Sequence, residues 1–225
     1  MTRGGVNNLI WAVSLLLQLV VLVKVFRSGM ARQLPAWAAL LLFYPLRGAA
    51  LFLLSAHLAR PTYIEIFNLF SVIDLFLQFA LVIHIATKYA AAQGGWTMPR
   101  LGALAGILAG SAVATFVLVQ SVPKNTPLPP DRAQIFDSFL MILLCVWMMV
   151  RPAKGILRKV CLGFAFFGTW NVLAMLGRTV AASHRDVRTY TAWSYVSPAA
   201  YMVVMVFWLI ALRGGTEGQT SAVGR

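Results

Sequence analysis

One stretch of the chain decides the fold: residues Leu34–Ala56 read LPAWAALLLFYPLRGAALFLLSA and hold one charged side chain, that of Arg47. The length suits a helix that crosses a bilayer, which needs roughly 17–25 mostly apolar residues. A charge near the centre of such a helix costs about 2.5–3.5 kcal/mol on insertion scales. Charges at that depth tend to face the protein interior, find a partner and mark a functional pathway. The stretch therefore indicates a membrane helix that carries a polar site.

Apolar stretches of this kind fill most of the chain. Of its 225 residues, 60% are hydrophobic and 11% are charged, whereas a soluble globular domain has about 25% charged residues. Four further segments of nearly membrane-spanning length carry no charge: Gly4–Val23, Leu101–Val122, Val160–Gly177 and Thr189–Leu212. This composition predicts a membrane protein and excludes a soluble domain with buried core helices.

Segment length and flanking charge together predict an all-α polytopic membrane protein with seven transmembrane helices. Glycines, prolines and charged residues mark the breaks between the segments. We place the helices near residues 6–26, 34–56, 63–89, 101–121, 133–150, 160–180 and 190–212. Residues 1–212 would form one transmembrane domain, and residues 213–225, rich in Gly, Ser and Thr, a flexible cytoplasmic tail.

Basic residues indicate which side of the membrane is cytoplasmic. The loops on one side hold 11 of the 19 Lys and Arg residues and the other side holds 7, while Arg47 is buried. Because short cytoplasmic loops carry the excess of positive charge, we expect an outer N-terminus and a cytoplasmic C-terminus in a bacterial inner membrane. The net charge of +13 comes mostly from these loops, where basic residues set the topology and contact anionic lipid headgroups. Nucleic acid is therefore not expected as a partner.

A carboxylate lies at matching depth on the next helix. Asp74 sits mid-way along Tyr63–Tyr89, which reads YIEIFNLFSVIDLFLQFALVIHIATKY. At about 1.5 Å per residue, Arg47 and Asp74 each lie about 15–17 Å from the outer end of their helix, near the midplane of a roughly 30 Å core. Consecutive antiparallel helices joined by a short loop are neighbours, so the sequence predicts an Arg47–Asp74 ion pair.

Polar side chains accompany Asp74 on its own helix. At about 100° per residue, Gln78, Ser71 and Asn68 lie about 40°, 60° and 120° from it. With Arg47, these residues form the predicted binding or gating site. A static pair that only locks two helices together is the structural alternative. Further side chains that could line the site lie on the last two helices: Asn171, Tyr195 and Tyr201.

When the chain is compared with itself at an offset of 127 residues, several residue types in its two halves coincide. The offset places His57 on His184 and Thr62-Tyr63 on Thr189-Tyr190. The first three helices would then overlay the last three and leave the fourth between them, as in transporters with parallel repeats. Basic inner loops and interfacial tyrosines also recur for topological reasons, which is the alternative explanation.

Seven helices, an outer N-terminus, this length and a 3+1+3 layout resemble the SWEET and PQ-loop transporters over the whole chain. The Pro-Gln motif of that family is absent from the first and fifth helices, and the nearest string is Gln33-Leu34-Pro35. No family residue can therefore be assigned here. The chain is also similar to small uncharacterised seven-helix inner-membrane proteins of bacteria.

Several chemistries do not fit the sequence. The last helix lacks the lysine that a retinal protein needs, and only His84 lies within a helix, too few for a di-haem site. The two cysteines, Cys145 and Cys161, are not in a CxxC arrangement, and no hydrolase, metalloprotease or nucleotide-binding motif occurs. We therefore expect no enzyme activity, no cofactor and no metal site.

Three functions remain. The leading hypothesis is a seven-helix bundle that binds or transports a small polar or anionic solute through the Arg47–Asp74 site. The second is a sensor or receptor whose basic loop Arg151–Lys159 contacts a separate cytoplasmic effector. The third is a structural subunit of a larger membrane complex. The expected partners are the lipid bilayer, an unknown small solute, and an effector or a second copy of the chain.

Overall fold

The computed structural model describes residues 3–55, 57–122, 132–150 and 155–212. Within these ranges the chain forms eight helices and no strand. The helices are α1 Arg3–Arg27, α2 Met30–Gln33, α3 Pro35–Ser55, α4 Arg60–Ala92, α5 Met98–Ser121, α6 Arg132–Val150, α7 Ile156–Ser183 and α8 Val187–Ala211. The predicted all-α class is confirmed. The predicted tail 213–225 and the residues 151–154 of the basic loop lie outside the described ranges.

Seven of these helices are long and apolar enough to cross a membrane, and α2 is a single turn between α1 and α3. The seven predicted helices are confirmed, and the protein is an integral membrane protein in contact with the lipid bilayer. The largest differences concern α7, which runs from Ile156 to Ser183 where 160–180 were predicted, and α4, whose 33 residues extend past the predicted 63–89 at both ends. An α-helix bonds its own backbone, so it continues past the apolar segment that hydropathy detects.

Contacts between residues divide the chain into two units. The first unit comprises α1 to α3, α4 as far as Ile85, and the chain from Leu209. In it, α1 packs against α3, and α2 packs against both. Its core lies where α1 ends and α3 begins, and Val21, Trp37 and Leu81 are fully buried there. Arg47 is well along α3 from this apolar core.

The second unit runs from Ala86 to Trp208, with α5 packed on α6 and α6 packed on α7. Glycines on α7 allow this close packing. A Cβ added at Gly168 would lie 2.8 Å from the backbone oxygen of Ser138 on α6. The indole of Trp208 covers Gly163, and its Nε1 donates a hydrogen bond to the carbonyl of Lys159 at 3.3 Å. The end of α8 is thereby attached to the beginning of α7.

Candidate functional site

The predicted ion pair between α3 and α4 is confirmed. Nη1 of Arg47 donates to Oδ2 of Asp74 at 2.7 Å, the distance of a charge-assisted hydrogen bond. The two side chains are 18% and 16% exposed. The pair is therefore neither sealed inside the protein nor fully exposed on its surface.

Two of the predicted polar neighbours bind directly to the pair. Nη2 of Arg47 donates to Oγ of Ser71 at 3.2 Å, and Nε2 of Gln78 donates to Oδ1 of Asp74 at 3.2 Å. The Ser71 hydroxyl in turn donates to the carbonyl of Phe67, one turn earlier, at 3.0 Å. Both oxygens of the Asp74 carboxylate therefore accept hydrogen bonds, Oδ2 from Arg47 on α3 and Oδ1 from Gln78 on its own helix, α4. The spacing of three and four residues between Ser71, Asp74 and Gln78 places all three on one side of α4.

Asn68 lies on the same helix but apart from the pair. Its side chain is exposed, and within the described part of the chain no hydrogen bond joins it to Arg47 or Asp74. The angular separation explains the difference, since Asn68 is about 120° from Asp74 around the helix whereas Ser71 and Gln78 are much nearer.

The site also includes aromatic residues that the sequence reasoning missed. The Tyr44 side chain hydrogen-bonds Asp74, and the guanidinium carbon of Arg47 lies 5.3 Å from the centre of the Phe67 ring, a cation–π distance. Tyr44 precedes Arg47 by three residues on α3, and Phe67 precedes Asp74 by seven on α4. The helical spacing that selected Ser71 and Gln78 could therefore have found them, had it not been restricted to polar residues near Asp74.

A proline interrupts α3 beside the site. Pro45 lies inside the helix, two residues before Arg47. Proline has no backbone N–H, so it cannot make the helical hydrogen bond to the carbonyl of Leu41, and its ring disturbs the preceding turn. The helix that holds the arginine is for this reason locally easier to bend.

A second polar cluster lies in the second unit, around Asn171 of α7. Its Oδ1 accepts from Gln134 Nε2 and from Ser197 Oγ, both at 3.0 Å, and its Nδ2 donates to Ser138 Oγ at 3.1 Å. Asn171 and Ser138 are 4% and 5% exposed. One buried amide thus joins α6, α7 and α8, and Pro198 follows the α8 serine directly.

The two tyrosines predicted as further lining also belong to the second unit. The ring of Tyr201 packs edge-on against Phe167 at 5.6 Å, and Tyr195 is half-buried on α8. A lining role for Asn171, Tyr195 and Tyr201 stays a prediction.

Groups that could bind a metal are scattered in the described ranges. No three or more His, Cys, Asp or Glu side chains there lie close enough to hold an ion. Both cysteines are buried and free, and Sγ of Cys161 lies 3.2 Å from Sδ of Met148.

The fold and the site together define an integral membrane protein with seven apolar helices and an Arg–Asp pair inside two of them. No protein-family model matches the chain, and no curated protein or solved structure does either. The resemblance to SWEET and PQ-loop transporters stays a prediction, as does the 3+1+3 repeat.

Proposed function

We propose that this protein binds or transports a small polar or anionic solute at Arg47. The observation that carries the proposal is a partly exposed guanidinium inside a membrane-spanning helix, held in place by Asp74 and Ser71. A guanidinium has five N–H donors in a planar fork that matches carboxylate and phosphate oxygens. Two of these donors make the bonds to Asp74 and Ser71, which leaves donors for a ligand oxygen.

The hydrogen bonds around Asp74 favour an anionic ligand over a cation. Gln78 and Tyr44 hydrogen-bond the Asp74 carboxylate in addition to Arg47, so its oxygens are occupied. The neutral Ser71 hydroxyl is a weaker acceptor for Arg47 than a ligand anion would be. A ligand carboxylate or phosphate would therefore replace Ser71 and leave the Asp74 bond in place.

Passage of the solute would require the helices to separate at the pair. Removing one partner of a buried ion pair costs about 3–5 kcal/mol, and an anion already bound to Arg47 would offset part of this by remaining on the guanidinium when Asp74 moves away. Pro45 supports this proposal over a static lock, because it weakens α3 beside the arginine. A helix that served only to hold a fixed pair would gain nothing from such a break.

The test uses the purified chain in detergent and a panel of probes: succinate, glutamate, phosphate and, as the neutral control, glucose. We expect at least one anion to raise Tm, because a ligand that binds only the folded state at 100 times its Kd adds about 2.7 kcal/mol of stability. Arg47→Lys should remove that rise, since lysine lacks the planar fork. Arg32→Lys, at an exposed arginine of α2, is the matched control and should respond as the native chain does.

A charge-swapped variant, Arg47→Asp with Asp74→Arg, separates binding from locking. It retains an ion pair between α3 and α4 but moves the guanidinium to the other helix. We expect it to fold and to lose the response to anions. The proposal is wrong if no anion stabilises the native chain, or if the swapped chain responds equally well.

A further inference from the structure

An apolar groove lies on the second unit, where α6 ends, α7 begins and α8 ends. Its volume is about 520 Å³, within the range of ligand-binding cavities. The lining is hydrocarbon and aromatic, and it includes Leu162, Phe166, Trp170, Val203 and Phe207.

The groove offers a ligand few polar atoms, the Thr169 hydroxyl and the Trp170 indole N–H. The Thr169 hydroxyl donates to the carbonyl of Ala165 at 2.8 Å, so it offers its proton to the helix and not to a ligand. Phe166 and Trp170 are 43% and 39% exposed, which shows that the groove opens to the outside of the protein. Inside a membrane, an open groove lined almost entirely by apolar side chains favours a hydrocarbon chain.

The groove occupies the depth of a single lipid leaflet. On α7 the lining runs from Leu162 to Trp170, about 12 Å along the helix axis. One leaflet of a roughly 30 Å hydrocarbon core is about 15 Å deep. The α8 residues that line it, Val203 to Phe207, and Met149 of α6 lie at the corresponding ends of their helices. An acyl chain of the leaflet on the side of the α6–α7 turn therefore fits along it.

A positive charge stands at the end of this groove. Arg158 is exposed and precedes Leu162 by one turn of α7, about 6 Å along the axis. At about 100° per residue, Arg158, Leu162, Ala165 and Thr169 fall within about 60° of one another, so all four share one stripe of the helix.

Described carboxylates of the second unit lie away from Arg158. Asp137 is near the beginning of α6 and Asp186 precedes α8, whereas the groove lies at the opposite ends of these helices. The Lys159 carbonyl accepts from the Trp208 indole, which fixes the first turn of α7, where Arg158 lies, against α8. The charge is thus positioned at headgroup level with no described acid of the second unit beside it.

We propose that this groove binds one anionic phospholipid, with an acyl chain along Leu162 to Trp170 and the headgroup phosphate on Arg158. Basic residues at the cytoplasmic ends of membrane helices bind anionic headgroups in this way. A zwitterionic lipid would bring its own cation toward Arg158, so the site should prefer phosphatidylglycerol to phosphatidylcholine.

Native mass spectrometry of the full chain, released from micelles that contain both phospholipids in equal amounts, tests the proposal. We expect one retained phosphatidylglycerol per chain. Arg158→Gln should lower its occupancy about fivefold relative to phosphatidylcholine, the effect of one charge near a lipid surface. Lys88→Gln, at an exposed lysine at the end of α4, is the matched charge control and should retain the native preference.

Ala165→Trp fills the groove and should abolish retention of either lipid, whereas Val113→Trp, at an exposed position of α5, should not. If Ala165→Trp fails to fold, quenching of Trp170 in the native chain by brominated phosphatidylglycerol gives the answer, with Trp170→Phe as the reference. Equal retention of the two lipids, an unchanged preference in Arg158→Gln, no quenching of Trp170, or a dimer that Ala165→Trp dissociates would each overturn the proposal.

Discussion

Gly163 and Trp208 are in direct contact: a Cβ added at Gly163 would lie 2.7 Å from Cε2 of the Trp208 indole. Real Cβ atoms essentially never approach a neighbour so closely, and the indole is held by its hydrogen bond to Lys159. We expect Gly163→Ala to destabilise the protein by about 1–3 kcal/mol, the usual cost of overpacking. Thermal unfolding in detergent micelles measures it.

Gly102→Ala is the control for this prediction. Gly102 is also helical, but a Cβ there would meet nothing within 4 Å. Replacing an open helical glycine by alanine stabilises a helix by about 0.5–1 kcal/mol. The two substitutions should therefore shift the unfolding temperature in opposite directions, and a loss of the same size in both would contradict the packing described for Gly163.

The Arg47–Asp74 pair predicts a strong coupling between its two side chains. Asp74→Asn leaves the guanidinium half-buried without a countercharge, and Arg47→Met does the same to the carboxylate. Each should cost up to about 3–5 kcal/mol, reduced by the partial exposure of the pair. The double variant should recover most of the loss, and a double-mutant cycle on unfolding free energies gives the coupling.

Glu65→Gln serves as the reference for that cycle. Glu65 is exposed on α4, on the opposite side from Asp74, and should change stability by less than about 0.5 kcal/mol. Simple additivity of Arg47→Met and Asp74→Asn would show that the 2.7 Å contact contributes nothing.

The Asn171 cluster joins three helices, so its removal should lower the stability of the folded protein. Asn171→Ala removes three hydrogen bonds of a buried amide. Gln134 and Ser197 lose their acceptor, and Ser138 loses the donor that binds its hydroxyl. Removing a buried hydrogen-bond partner of this kind costs about 1–3 kcal/mol. The matched control is Asn68→Ala, because that asparagine is exposed on α4. Equal unfolding temperatures for the two variants would refute a structural role for the cluster.

Asp186, between α7 and α8, predicts a dependence on pH. The Thr189 hydroxyl donates to its carboxylate at 2.6 Å, and the backbone N–H groups of Thr189 and Arg188 donate at 3.1 and 3.0 Å. These bonds hold the pKa of Asp186 below its ordinary value of 3.8, the Thr189 side chain being the largest cause. The carboxylate caps the start of α8, as acidic residues commonly do.

Because the pKa is lowered in the folded state, the stabilisation is complete above the unfolded pKa near 3.9 and is lost as pH falls through the folded value. The stability difference between the native chain and Asp186→Asn should be constant from about pH 5 to 8 and shrink below about pH 4. Thermal unfolding across this range measures it. A difference that grew on acidification would have the wrong sign for this cap.

Much of the architecture and part of the site follow from the sequence for identifiable reasons. Each apolar segment is long enough to span a bilayer and is bounded by charges or prolines, which locates the seven helices. Arg47 and Asp74 have matching depths on consecutive helices, which brings them together. The polar side chain of Asn68 also predicts it as part of the site, although it lies too far around the helix.

Contacts between helices distant in sequence could not be predicted in the same way. The sequence shows Asn171 as a polar residue within a helix, but hydropathy does not tell which helices face it and so does not predict Gln134 and Ser138 as its partners. The groove beside Arg158 could not be predicted for the same reason, since its lining comes from three helices, α6, α7 and α8. The ends of α4 were missed because a helix continues into the headgroup region, where apolar residues are no longer required.

The 33 residues of α4 correspond to a rod of about 50 Å, longer than the roughly 40–45 Å of a whole bilayer with its headgroups. A helix of this length must tilt or protrude from the bilayer, and its tilt changes with the thickness of the surrounding membrane. Asp74 lies close to its centre, where its hydrogen bond with Arg47 connects α4 to α3. A thinner or thicker bilayer would therefore rotate the carboxylate against the guanidinium, and the strength of their contact would be set in part by the lipids of the host membrane.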